Sequence, residues 1–406
     1  MFRRRGFVPF LLARLAAMFA IQVQAVIVAW QVYDISGDPM ALAYVGLAQF
    51  LPMALLVLPA GDLVDRFDRK RILTLSWLLD AGCSALLLWL TWSGNDNLLY
   101  FYAVLVLFGC GRAFTGPALQ SVLPQIVPRE QLARAIAANS MIMRVAVIGG
   151  PVLGGLLYAF GGSLAYAVCL LCFIAGTLLL QRVPIRFAEP PQAREATAWF
   201  RFSAGIRFIR SRPIILGAIS LDLFAVLLGG VVALLPIYAQ DILHVGPAGL
   251  GALRSAIAVG ELSMGLYLSN RAIGHHVGLV MFCAVAVFGI ANLAFALSTW
   301  FWLSFAALLV AGAADMISVN VRTTLIQLAT PDNMRGRVNA VNMLFIGSSN
   351  ELGEFRAGTS AAWFGAVPAA VIGGAGTLAV VALWMRLFRP LARVNRFEEV
   401  TAAPLR

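Results

Sequence analysis

The chain has 406 residues, of which 61% are hydrophobic and only 12% are charged. Soluble domains carry roughly 25% charged residues, so the composition excludes an ordinary water-soluble protein and predicts that most of the chain faces lipid or other helices. The net charge of +11 comes from arginines in short segments between apolar runs, a distribution typical of membrane orientation rather than of nucleic-acid binding.

A membrane-spanning helix needs about 20 apolar residues, and a backbone in lipid must satisfy its hydrogen bonds internally. The pattern predicts an all-α membrane protein of 12 transmembrane helices, built as two six-helix bundles related by pseudo-twofold symmetry. The bundles are residues 1–182 and 214–406, joined by a Pro- and Arg-rich cytoplasmic linker over 183–213. The predicted spans are 9–33, 40–64, 72–93, 97–122, 134–159, 162–182, 214–240, 247–270, 276–297, 299–326, 338–362 and 365–388.

Positive charge is confined to alternate segments. The segments after even-numbered spans carry arginines, as at Arg66, Arg271 and Arg335, whereas those near 34–39, 94–96, 160–161, 241–246, 298 and 363–364 hold no Lys or Arg. Because cytoplasmic loops attract Lys and Arg, both termini are predicted to be cytoplasmic, in a multi-pass protein of a bacterial inner membrane. Within the linker, 198–210 reads either as a basic amphipathic helix on the membrane surface or as a solvated segment.

An internal repeat supports two similar halves. A shift of about 203 residues pairs Arg134 with Arg337 and Gly150 with Gly353, at the same step of each half. Parallel six-helix repeats build one large class of transporters. Chance similarity among apolar helices is the alternative explanation.

The segment after the second span reads Gly61-Asp-Leu-Val-Asp65-Arg66-Phe-Asp-Arg69-Lys-Arg. A carboxylate here can cap a helix or pair with an arginine, and a simple charged turn is the alternative. The order resembles the cytoplasmic loop signature of the major facilitator superfamily, except that Asp68 replaces the usual glycine. The resemblance implies that Gly61, Asp65, Arg66 and Arg69 latch the cytoplasmic side when the protein opens outward.

Two further stretches resemble motifs of the same superfamily. Gly111-Arg112-Ala-Phe-Thr-Gly-Pro-Ala resembles the intramembrane arginine motif of the fourth helix. Gly149-Gly150-Pro151-Val-Leu-Gly154-Gly155 resembles the G-P-x-x-G-G motif that the superfamily associates with antiporters. Glycines permit close helix crossing and a proline bends a helix, so these residues are gating candidates, with plain helix packing as the alternative.

The second half resembles a narrower group. Met334-Arg-Gly-Arg-Val-Asn and Asn350-Glu-Leu-Gly-Glu-Phe-Arg356-Ala-Gly are similar to stretches of the bacterial siderophore and multidrug exporters, which include enterobactin exporters. That group commonly has an acidic residue at the position of Arg356. The resemblance implies efflux without naming the cargo.

Charged residues inside a membrane are costly and therefore mark functional sites. In the superfamily the first, fourth, seventh and tenth helices line the central cavity, which implies a set of substrate-binding residues. These are Gln22, Gln24, Arg112, Asp222, Asp315 and Asn320. Arg112 would hold a substrate anion or a neighbouring carboxylate, or would form a structural ion pair across helices.

Proton coupling needs carboxyl groups that bind protons reversibly. Asp222 and Glu261 are the leading candidates, joined by Arg144, Glu351 and Glu354. Glu351 and Glu354 lie one helical turn apart, with Arg356 two residues further on; they form either a coupled pair or a packing-level charge cluster near the outer surface. Asp80 is expected only to pair with an arginine.

The sequence predicts a transporter rather than an enzyme. It contains no G-x-x-x-x-G-K-[ST] motif and no metal or cofactor motif, so an ion gradient, most plausibly of protons, would supply energy. The prediction is a monomeric proton antiporter that exports drugs or siderophore-like metabolites by alternating access, with substrate, protons and lipid as its partners. An importer or uniporter of the same fold, a lysolipid flippase, and a non-transporting sensor or assembly partner stay open as alternatives.

Overall fold

The structure is a computed structural model that describes residues 6–127, 131–184 and 198–400. Over these ranges the chain forms thirteen helices of more than ten residues and no β-strand. The helices are α1 (Phe7–Ser36), α2 (Pro39–Arg66), α3 (Arg69–Trp92), α4 (Leu98–Ile126), α5 (Leu132–Phe160), α6 (Gly162–Gln181), α7 (Ala198–Ser211), α8 (Pro213–Gly229), α9 (Gly246–Asn270), α10 (Val277–Leu297), α11 (Phe301–Ala329), α12 (Asp332–Phe364) and α13 (Ala366–Leu387).

Ten helical stretches in the described ranges are long and apolar enough to cross a membrane. They include α8 together with the short turns that extend it to Ile242. Two other long helices, α9 and α12, carry the acidic residues Glu261, Glu351 and Glu354 and are not among the ten. The predicted all-α membrane fold is confirmed, whereas the count of twelve spans stays a prediction.

Polar residues at the loop ends fix where several helices begin. Asp38 accepts a hydrogen bond from the backbone N–H of Met40 at 2.8 Å, and Pro39 takes the first helical position of α2. Asn97 accepts from the N–H of Leu99 at 3.0 Å and starts α4 in the same way. Such caps satisfy N–H groups that have no partner inside the helix, so short polar loops are enough to separate long apolar helices.

The chain divides into two compact units. The first comprises the residues up to Ala198 together with Val245–Ser255, and the second comprises Trp199–His244 and the residues from Ala256 onward. The limits of the two bundles and the linker inferred from the sequence stay a prediction.

The same packing scheme occurs in each unit. In the first, α1 packs against α5 and α6, and α3 packs against α4 and α6. In the second, α8 packs against α12 and α13, and α10 packs against α11 and α13. The scheme agrees with the internal repeat, because each helix of the second set has the neighbours of its counterpart six spans earlier.

The amphipathic helix α7 packs onto the second unit. Phe208 and Ile209 are buried in the apolar core of that unit. At Gly205 a Cβ atom would lie 2.7 Å from the backbone oxygen of Arg337, so α7 touches the backbone of α12. The apolar side chains at the end of this helix are therefore covered by protein, and its position relative to a membrane stays a prediction.

Candidate functional site

The loop between α2 and α3 is built around two charged residues. Asp68 caps α3 by accepting a hydrogen bond from the N–H of Lys70 at 2.9 Å. The Lys70 ammonium group donates to the backbone oxygens of Gln181 and Val183, at 2.9 and 2.8 Å. Asp68, at φ −60°, therefore caps the helix at a position where no left-handed glycine is needed. Lys70 in turn stabilises the C-terminus of α6.

The four predicted residues of this loop differ in their surroundings. Gly61 has open space around its Cα, Arg66 is exposed and Arg69 is partly buried. The side chain of Asp65 lies outside the described part of the structure. Their predicted gating role stays a prediction.

The G-P-x-x-G-G segment lies in α5 and faces α1. At Gly150 a Cβ atom would lie 2.5 Å from the Cβ of Gln22, and at Gly154 it would lie 3.1 Å from the oxygen of Val23. Both distances are shorter than ordinary contact, so the two helices approach this closely only because the glycines lack side chains. Gln22 thus lies at the α1–α5 crossing.

The other face of the segment meets the stretch Val245–Ser255, which belongs to the same unit. At Gly155 a Cβ atom would lie 2.2 Å from the oxygen of Pro247, and at Gly251 it would lie 2.2 Å from the oxygen of Pro151. Ser255 donates a hydrogen bond of 2.7 Å to the oxygen of Ile148. Backbone therefore contacts backbone here, and any larger side chain would force the segments apart.

Buried polar contacts tie α1 to its neighbours. Gln24 is almost fully buried and its amide oxygen accepts a hydrogen bond of 2.7 Å from Ser84 of α3. Two turns along, Gln31 bonds Thr91 of α3 at 3.0 Å and accepts from Tyr166 of α6 at 2.9 Å. Gln24 therefore faces the interior of its own bundle, and its predicted contact with substrate stays a prediction.

Asp80 on α3 and Arg112 on α4 lie on neighbouring helices. The Arg112 guanidinium donates to the amide oxygen of Gln49 on α2 at 3.3 Å. Asp80 is fully buried, and a Cβ atom at Gly111 would lie 2.6 Å from its Oδ1 atom. The carboxyl group therefore lies against the backbone of α4, next to the residue that precedes Arg112.

Asp222 forms a buried ion pair with Arg322. The carboxylate on α8 meets the guanidinium on α11, and both side chains are almost fully buried. The sequence places these opposite charges in two spans without showing that they meet, because they are 100 positions apart. The pair therefore links α8 to α11, and removal of either partner would leave the other charge buried without compensation.

Glu261 and Asp315 flank a close crossing of α9 and α11. At Gly260 a Cβ atom would lie 2.0 Å from the oxygen of Leu309, and at Gly312 it would lie 2.0 Å from the oxygen of Ile257. The two helices are thus in backbone contact, as membrane helices are where small residues meet.

The crossing brings together the segments that carry the two carboxyl groups. Glu261 follows Ile257 by four residues on α9, and Asp315 follows Gly312 by three residues on α11. Residues three or four apart share a helix face, so each side chain lies one turn beyond the point of contact. Both side chains are partly buried, and two carboxylates placed near each other repel one another when both are ionised.

Arg356 has a different role from the acidic residue of the exporter group. Its guanidinium donates to the oxygen of Leu227 at 3.0 Å and to that of Gly230 at 3.4 Å, at the C-terminus of α8. A cation there complements unsatisfied carbonyl groups and the helix dipole. Arg356 is therefore bound to the helix end, whereas Glu351 and Glu354 are partly buried one turn apart on the same helix.

For two of the predicted site residues the structure gives mainly their burial. Arg144 and Asn320 are both partly buried, on α5 and α11. The backbone oxygen of Asn320 accepts a hydrogen bond from Thr324, which leaves its amide side chain for other contacts. The roles of Arg144 in proton coupling and of Asn320 in substrate binding therefore stay predictions.

Comparison with known proteins agrees with this architecture. The family model described as transmembrane secretion effector matches residues 1–404. The enterobactin exporter EntS of Citrobacter koseri is 28% identical over 358 residues, covering 85% of this chain and 82% of that protein. The protein of the same name from Salmonella typhimurium is 27% identical over 350 residues, covering 84% and 81%.

Solved transporter structures share the fold at low sequence identity. A bacterial homologue of the iron transporter ferroportin, in an inward-facing state, has a TM-score of 0.71 and 19% identity, covering 95% of this chain and 98% of its own. A bacterial homologue of the human lysosomal transporter Spinster has a TM-score of 0.73 and 16% identity, covering 98% of both chains. The chain therefore belongs to the transmembrane secretion effector family, within the major facilitator superfamily of membrane transporters.

Proposed function

We propose that this protein is a proton-driven exporter of small amphiphilic molecules, such as siderophore-like metabolites or drugs. The family description and the enterobactin exporters among its relatives support export and this class of cargo. Alternating access moves the cargo outward while protons move inward. The protein acts as a monomer in a bacterial inner membrane with both termini in the cytoplasm, as the arginine distribution indicates.

The juxtaposition of Glu261 and Asp315 carries the proposal of proton coupling. Two carboxylates brought together in a membrane repel one another, and a shared proton removes that repulsion. The close approach at Gly260 and Gly312 keeps the segments that carry the two carboxyl groups near each other. Proton binding and release at this pair therefore change the electrostatic energy of the crossing, which is the property that a coupling site needs.

The remaining candidates have supporting roles. Arg112, Gln22 and Asn320 contribute polar groups for the cargo. Asp222 takes part in coupling through Arg322, because protonation of the carboxyl would leave the buried guanidinium without its counter-charge. Glu351, Glu354 and Arg144 form a further set of charges that responds to the proton gradient, as the sequence predicts.

Two segments of the first unit provide gating: the loop after α2 and the G-P-x-x-G-G segment of α5. The loop with Gly61, Asp65, Arg66 and Arg69 latches the cytoplasmic side. The G-P-x-x-G-G segment, in which Pro151 bends α5 and Gly155 permits backbone contact, changes its packing as access alternates. Both assignments rest on their resemblance to superfamily motifs and on the close packing of α5.

Proton movement in proteoliposomes tests the function. Vesicles loaded with a pH-sensitive dye carry an imposed pH gradient, and a panel of siderophores and amphiphilic drugs is added. We expect cargo to trigger proton movement in the wild type. Glu261→Gln and Asp315→Asn should abolish it while leaving cargo binding measurable.

Matched controls use the same substitutions at exposed positions. Glu398→Gln and Asp96→Asn make the same chemical change where the side chain is in solvent, and should keep wild-type flux. Cargo flux without proton movement in the wild type would overturn the coupling and favour a uniporter. Competition by lysolipids would favour a flippase, and binding without flux would favour a sensor.

A further inference from the structure

The first unit contains a second buried carboxyl group, Asp80 on α3, in unusual surroundings. It is fully buried, and neither of its carboxyl oxygens has a hydrogen-bond partner among the residues that the structure describes. Buried polar atoms are almost always hydrogen-bonded, so two unpartnered oxygens on one carboxyl are exceptional. Asp80 is thus not the simple structural ion pair expected from the sequence.

The neighbouring polar groups share this property. Trp77 Nε1 and Gln24 Nε2 are also buried, and within the described ranges neither donates a hydrogen bond. Ser84 links this region, because its hydroxyl donates to the backbone oxygen of Asp80 at 3.0 Å and to the side-chain oxygen of Gln24 at 2.7 Å. Unpartnered donors and acceptors therefore lie within about two turns of α3, inside the bundle.

Arg112 is the charge that acts on this carboxyl. Asp80 Oδ1 lies against Gly111, so the carboxyl touches the α4 backbone immediately before Arg112, and an ionised Asp80 would be attracted by the guanidinium. The Arg112 guanidinium nevertheless donates to Gln49 on α2. No hydrogen bond joins Arg112 to either oxygen of Asp80.

Other titratable groups around α3 supply no second cation at this depth. Helix α6 has no charged residue between Gly162 and Gln181, and α1 contributes Arg14 ten positions from Gln24. Other titratable groups on the helices around Asp80 include Cys83 on α3, Cys110 on α4, Tyr166 on α6, and Asp62 and Arg66 at the end of α2. A carboxylate buried without hydrogen bonds is costly, and a protonated carboxyl is not.

We propose that Asp80 is a proton-binding site of the first unit, protonated in the resting protein at neutral pH and compensated by Arg112 once the proton leaves. In that step the O–H bond breaks, its electron pair stays on the carboxylate, and the proton passes to water. The new negative charge competes with Gln49 for the guanidinium, so proton release at α3 alters the contact of α4 with α2. This inference rests on the proposed proton-driven export, for which it supplies a second site.

Infrared spectroscopy of the purified full chain, without cargo or gradient, tests the site directly. Protein labelled with [4-¹³C]aspartate shows a shifted C=O band for any protonated aspartate. At neutral pH we expect a labelled band that is lost in Asp80→Asn and retained in the matched exposed variant Asp96→Asn. Identical bands in wild type and Asp80→Asn would show that Asp80 is ionised and would overturn the proposal.

A second variant tests the site independently if Asp80→Asn does not fold. Asp80→Glu keeps the carboxyl group but takes up no label, so the labelled band should be replaced by an unlabelled one at the natural frequency. Retention of the full labelled band in this variant would also refute the site. The result is separable from the export proposal: an Asp80 band without cargo-linked flux rejects proton-driven export alone, and flux without that band rejects this site alone.

Discussion

Substitution of Gly312 by alanine tests whether the α9–α11 crossing sets the carboxyl pair. The added Cβ would lie 2.0 Å from the oxygen of Ile257, about 1.4 Å short of the 3.4 Å at which ordinary contact begins. The obstructing atom belongs to backbone, so α9 and α11 must separate by about that amount. Overpacking of this kind costs about 1–3 kcal/mol.

Gly312→Ala should affect proton coupling as well as stability. Separation of the helices increases the distance between the Glu261 and Asp315 carboxyl groups and weakens the repulsion that a shared proton relieves. We therefore expect Gly312→Ala to lower the thermal unfolding temperature in detergent and to reduce the cargo-linked proton movement per cargo molecule. Differential scanning fluorimetry and the dye-loaded vesicles measure the two effects.

Gly82→Ala is the matched control. Gly82 lies inside α3 with nothing within 4 Å of its would-be Cβ and is exposed on the helix surface. Alanine favours a helix over glycine by roughly 0.5–1 kcal/mol, so this variant should be as stable as the wild type or more so. Equal stability of Gly312→Ala and Gly82→Ala would refute the backbone crossing, and unchanged coupling in Gly312→Ala would refute its role in positioning the pair.

Three further substitutions have distinct expected outcomes. Arg322→Ala leaves the Asp222 carboxylate buried without its partner and should cost about 3–5 kcal/mol, whereas adding Asp222→Asn should recover part of that loss in thermal melts. Arg356→Met removes the donor to the α8 carbonyls and should lower stability by about 1.5–3 kcal/mol; an unchanged melting temperature would show that the contact contributes nothing. Lys70→Met removes the ammonium group from the end of α6 and should speed hydrogen exchange at the last turn of that helix, leaving exchange in α13 unchanged.

The sequence was sufficient to locate the helices, because a long apolar run that crosses a membrane must be helical to satisfy its backbone hydrogen bonds. The predicted span 9–33 corresponds to α1, and 338–362 corresponds to α12, which begins at Asp332 and ends at Phe364. Both helices are longer than the predicted spans, because polar and charged turns continue each helix beyond its apolar run. The linker helix α7 was placed in the right segment, but its burial against α12 depends on Gly205, which composition alone does not reveal.

The sequence did not predict which intramembrane charges pair with one another. Asp222 and Arg322 were both recognisable as intramembrane charges, yet only helix packing brings them together. In a membrane that packing is set by small residues and close backbone approach rather than by an apolar stripe facing a core. The glycines of the G-P-x-x-G-G segment were recognised as packing residues, whereas Gly260 and Gly312, which lie in no motif, were not.

The proposed proton sites differ in how their charge is controlled, and that difference argues for distinct tasks. The Asp80 carboxyl has no hydrogen-bond partner among the described residues, so its protonation depends on the nearby cation Arg112. Glu261 and Asp315 depend on each other, because each makes the other harder to ionise. A helix movement that shifts α4 would change the first site and leave the second intact, whereas a shift of α9 against α11 would do the reverse. Two carboxyl sites with separate structural controls allow proton uptake and release to occur at different stages of one transport cycle.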